Sequence, residues 1–111
     1  MTEKIQDLNK YVDWKEIPKN VVAEGEVIDI EVGDEKEYFK KYEGEGLRRV
    51  IKVVVKVEMY NDFINEFLTF YEVATEKTKL GKWKKKYGSF PKIGQKVKVS
   101  YDVEGNGRVI L

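Results

Sequence analysis

Cysteine and histidine are both missing from this 111-residue chain, and proline occurs only twice. The first two absences exclude disulfides, thiolate chemistry and zinc sites built from nitrogen and sulfur ligands. They also exclude the Ser-His and Cys-His pairs of nucleophilic catalysis. Carboxylates, lysines and tyrosines are the acid-base groups that remain. No run approaches the roughly 20 apolar residues of a membrane span. The start, "MTEKIQDLNK", lacks the basic and apolar segments of a signal peptide. A soluble cytoplasmic protein with no membrane contact is the expectation. The acidic pairs Asp34-Glu35 and Glu43/Glu45 lie in a glycine-flanked loop, where solvated charge is a better account than a Mg²⁺ site. "GEGLRR" and "GNGR" lack the strand-to-helix context of phosphate-binding glycine motifs. A non-enzymatic protein without a cofactor is expected.

The chain does contain 41% hydrophobic and 37% charged residues, a mixture too apolar and aromatic for disorder and suited to one domain. Abundant Lys and Glu, with glutamine only at 6 and 95, lean toward a thermophilic source. Charge is divided unevenly. Residues 1–46 carry a balance of −6 and residues 47–111 a balance of +7. Such asymmetry points to a polyanionic partner, or to one half neutralising the other in the folded state.

Residues 2–17 space Ile5, Leu8, Tyr11 and Val12 at helical intervals ahead of Pro18, so residues 1–18 are expected as a short helix or a loose arm. Residues 19–111 form the expected domain. "NVVAEGEVIDIEV" alternates with period two and carries an early glycine of the kind that lets a strand bend. "LRRVIKVVVKVEMY" is the strongest strand, with Ile51, Val53, Val55 and Val57 alternating against Lys52, Val54, Lys56 and Glu58. A turn at Asn61-Asp62 precedes a third strand expected at 66–76, whose facing the pattern leaves open. "QKVKVSYDV", the turn "EGNG" and "RVIL" make a hairpin. Residues 77–91 are left for a short helix or loop between the third and fourth strands.

Five strands and a bending glycine suggest closure into an all-β barrel, because closure removes exposed edges. "AEGEVIDIEV", "RRVIKVVVKVEMY" and "KIGQKVKVSYDVEGNGRVIL" resemble the first, second and last strands of OB-fold proteins that bind single-stranded nucleic acid. Sm-like and Tudor-like barrels are similar to the same pattern. The OB resemblance implies binding across the second and third strands, with Arg48, Lys52 and Lys56 presented outward. If Leu68 and Phe70 face the core, Phe67, Thr69 and Tyr71 lie beside those cations, as phosphate neutralisation with base stacking requires. With the opposite facing, Phe67 and Tyr71 are core residues.

A second basic-aromatic cluster lies at 77–98, where nine lysines occur with no arginine and no carboxylate. Mutual repulsion of such charges is relieved by a polyanion. Lys82, Lys84, Lys85 and Lys86 are therefore candidate phosphate contacts, and Trp83 and Tyr87 candidate stacking rings. The alternatives are a solvated lysine loop and a tryptophan that caps the barrel mouth. Lysine lacks the planar fork that reads base edges, so binding is expected to be sequence-tolerant, with DNA slightly favoured over RNA. The competing expectation is an assembly module in which acidic and basic surfaces pair between subunits, or with another protein through the acidic N-terminal half.

Overall fold

β-Branched residues at alternate positions form strands where one face can be buried, and they do so throughout this chain. The computed structural model describes residues 16–34, 48–71 and 73–111. The helix or arm expected at 1–18 falls, apart from 16–18, outside the described residues. The strands are β1 (Val22–Asp34), β2 (Arg49–Val57), β3 (Asp62–Phe70), β4 (Lys96–Tyr101) and β5 (Gly107–Val109). One helix, α1 (Lys79–Tyr87), connects β3 to β4. The ladder order is β3-β2-β1-β4-β5 with every pair antiparallel. β3 and β5 then meet across the remaining seam, so the sheet curls into a nearly closed, OB-like all-β barrel. Among the described residues no helix is long and apolar enough to cross a membrane.

The interior is made from the inward residues of all five strands. Val27, Val53, Val55, Leu68 and Val99 are fully buried, and Ile64, Val97, Tyr101 and Val109 are nearly so. In β1 the inward positions are Ala23, Gly25 and Val27, then Ile30 after a bulge at Ile28 where the register to β2 shifts. Gly25 is required by packing, since a Cβ there would meet Val55 Cγ1 at 2.5 Å.

The third strand begins four residues earlier than expected and stops at Phe70. Asn61 adopts a left-handed conformation after a 3-10 turn at Glu58–Tyr60, which sends the chain straight back along β2. Phe63, Ile64 and Asn65 therefore pair with Lys56, Val55 and Val54.

The lysine-rich segment is helical because Leu80, Trp83 and Tyr87 fall on one side of a helix and pack on the core. Thr78 caps its start by accepting the Gly81 N–H at 3.3 Å, and Gly88 closes it at φ 79°. The helix lies over the end of the barrel where β3 finishes and β4 begins. Trp83 inserts there, fully buried.

Candidate nucleic-acid interface

Register decides which side chains share a face. Leu68 and Ile64 point inward, so Phe63, Asn65, Phe67 and Thr69 project from the outer face of β3. Opposite them on β2 stand Lys56, Val54, Lys52 and Val50. Lys52 is the cross-strand partner of Phe67, and Lys56 that of Phe63. Arg48 Nη1 donates to Thr69 Oγ1 at 3.4 Å, which puts it on this face just before β2 begins. Tyr71 follows directly on β3 and is 64% exposed. On the paired strands a cation and a ring therefore stand opposite each other twice, Lys52–Phe67 and Lys56–Phe63, about 13 Å apart.

Phe63 belongs to this row and was not among the residues singled out from the sequence. It is 55% exposed, and the Lys56 ammonium sits 5.6 Å from its ring centroid. Extending the alternation of Phe67 and Tyr71 back by four residues would have found it. Phe67 is half-buried, as are Arg48 and Lys52.

The same register introduces carboxylates. β1 places Glu31 beside Lys52 and Glu26 beside Lys56, and on its other edge Glu26 and Glu24 face Lys96 and Lys98 of β4. Lys96 Nζ lies 2.9 Å from Glu26, a contact that raises the lysine's pKa through the hydrogen bond and the charge. Lys56 also bridges to Glu58 at 3.1 Å. The acidic and basic halves of the chain thus neutralise one another locally on this wall, so the β2–β3 cations do not form a one-signed groove.

The helix residues divide into two groups. Trp83 is not a stacking platform. It has no exposed surface, its Nε1–H donates to Gln95 Oε1 at 3.1 Å, and Gln95 Nε2 donates to Ser89 Oγ at 2.8 Å. A buried indole needs an acceptor for its N–H, and Gln95, itself buried, is placed to supply it. Tyr87 is also structural. Its ring packs 5.1 Å from Trp83, and its hydroxyl donates to the Ile110 carbonyl and accepts the Lys98 backbone N–H at 3.3 Å. Burial raises the Tyr87 pKa, partly offset by the backbone hydrogen bond and reinforced by the Glu66 charge. Lys82, Lys84, Lys85 and Lys86 are exposed. Among the described residues none of these four lysines has a carboxylate in ion-pair range. They lie on the helix rather than on the β2–β3 wall, so the two basic-aromatic clusters are not one groove.

Among the described residues no three carboxylates gather as a metal site would require. Compared with known proteins, the chain matches no family model, no curated protein and no solved structure.

Proposed function

We propose that this barrel is a non-catalytic, sequence-tolerant single-stranded nucleic-acid-binding protein of the cytoplasm, with DNA slightly favoured over RNA. One observation carries the reading: exposed rings stand beside cations on the outer face of β2 and β3. Unpaired bases stack on such rings, and the neighbouring cations meet the phosphates. Because Glu26 and Glu31 offset Lys56 and Lys52, stacking supplies most of the affinity and the salt dependence is shallow.

The assembly alternative, pairing of acidic and basic surfaces between subunits, has less support. On the described wall those charges already face one another within a single chain.

Fluorescence anisotropy with labelled single-stranded DNA, single-stranded RNA and duplex, at two salt concentrations, tests the proposal. Phe63→Ala and Tyr71→Ala should each cost roughly 1–3 kcal/mol of single-strand affinity. Failure to bind single strands, or indifference to both substitutions, would overturn it.

A further inference from the structure

Beside α1 the structure has a cleft of about 850 Å³, within the size range of small-molecule sites. Gly81 sets how closely two of its walls meet. A Cβ there would collide with the Thr75 carbonyl oxygen and with Cα of Glu76, so only glycine lets the 75–76 backbone lie against the helix. The walls carry Lys77 from the connecting segment, Lys84 and Lys85 from the helix, and the apolar side chains of Leu80 and Phe90. Lys84 Nζ is held 4.7 Å from the Phe90 centroid.

Lys84 and Lys85 have an ordinary structural role. They lie in the last turn of α1, where cations complement the helix dipole. Lys77 and Lys79 have no such role, because they lie at the end of α1 where the dipole disfavours cations. The first turn contains no acid to offset them. Among the described residues Lys77, Lys84 and Lys85 have no ion-pair partner, and Glu76 is the one carboxylate in the lining. Helix stability does not account for this placement, whereas a multiply charged anion does. Lysines act as point charges that suit phosphate without demanding a fixed orientation. Leu80 and Phe90 supply an apolar surface for a flat ring attached to it.

We propose that this cleft binds the phosphates of a nucleotide or of a nucleic-acid strand, as a site separate from the β2–β3 face and independent of the function proposed for it. The probes are pyrophosphate, ATP and a short oligothymidylate, titrated into the full chain while backbone amide resonances are followed. Pyrophosphate and ATP should shift the amides of Lys77, Gly81 and Phe90 and leave that of Phe63 unmoved. The combined change Lys77→Gln, Lys84→Gln and Lys85→Gln, at exposed or rim positions compatible with folding, should weaken ATP binding about tenfold or more. Phe63→Ala should leave ATP binding unchanged. Oligothymidylate shifting the same three amides would support a strand backbone as the ligand, and shifts with ATP but not the oligomer a free nucleotide. The proposal is overturned if none of pyrophosphate, ATP and oligothymidylate shifts those amides, or if the triple variant binds whichever of them does as tightly as the parent.

Discussion

Glu66 Oε2 accepts the backbone N–H of Val109 at 3.3 Å, joining β3 to β5 by a side chain where the ladders leave off. The carboxylate is 4% exposed, and its other oxygen lies 3.7 Å from Arg108. Asp62 makes a second link between the two sides of the barrel by accepting the Tyr101 hydroxyl at 3.0 Å.

Glu66→Ala should destabilise the barrel by about 1–3 kcal/mol, because the Val109 N–H is then left unsatisfied in a buried position. Glu66→Gln keeps an acceptor and loses only a long contact to an exposed guanidinium, so most of the stability should survive. Urea denaturation of the two variants checks this, and equal losses would show that the charge rather than the acceptor matters.

Trp83→Ala should cost about 3–5 kcal/mol, as expected for a large ring removed from a core. In a Trp14→Phe background the remaining emission comes from Trp83 alone. That emission should not respond to saturating oligonucleotide. Quenching by the oligomer would mean that the ring is accessible to bases after all.

Neutralising the β1 acids should improve binding. Glu31→Gln removes the carboxylate beside Lys52, and Glu26→Gln releases Lys96 and removes a carboxylate beside Lys56, which keeps its bridge to Glu58. Single-strand affinity should then rise severalfold at low salt, and the salt slope steepen by up to about 0.7 for each phosphate newly engaged. Anisotropy titrations at several salt concentrations decide the matter. An unchanged or weaker affinity would place the bound strand elsewhere.

Alkaline pH should loosen the fold through Tyr101. Burial, with the hydroxyl bond to the Asp62 carboxylate and its charge, pushes the phenol far above its ordinary 10.0. The folded state therefore holds this proton more tightly than the unfolded state does. The associated stability is fully present below about pH 10 and is lost as pH rises from there toward the folded value. Tyr101→Phe should remove part of that alkaline decline while costing about 1.5–3 kcal/mol at neutral pH, typical for a hydrogen bond to a charged acceptor. Thermal melts between neutrality and pH 11 would reveal it, and an identical decline in both proteins would assign it to other groups.

β2 and the β4–β5 hairpin are legible in the sequence because their inward residues are apolar and most of the intervening ones are charged or polar. β3 is not, for two reasons visible in its side chains. Phe63 and Phe67 project outward, while Glu66 points in, so apolar and polar positions no longer mark the two faces. Its partner Val109 lies 43 residues away, and nothing local announces that a carboxylate is needed at the seam. The candidate interface was legible in type and less so in arrangement. Arg48, Lys52, Lys56, Phe67 and Tyr71 could be grouped only by taking Leu68 to face the core, which alternation left open. The opposition of Glu31 to Lys52 arises from strand register across a bulge. Trp83 and Tyr87 looked like rings among lysines because the helical spacing of Leu80, Trp83 and Tyr87 is obscured by the charges between them.

The bulge at Ile28 separates two properties of β1 that a regular strand would tie together. Val27 points inward before it and Ile30 after it. Removal of residue 28 would leave every flanking side chain on its present side of the wall. What would disappear is the local bend and added twist that an extra residue imposes on a strand. The local bend of the wall is thus tied here to an extra residue in the chain, not to the chemistry of any side chain. Ile28 can be exchanged for another residue without loss of the bulge, but it cannot be deleted without straightening the strand that both β2 and β4 pair with.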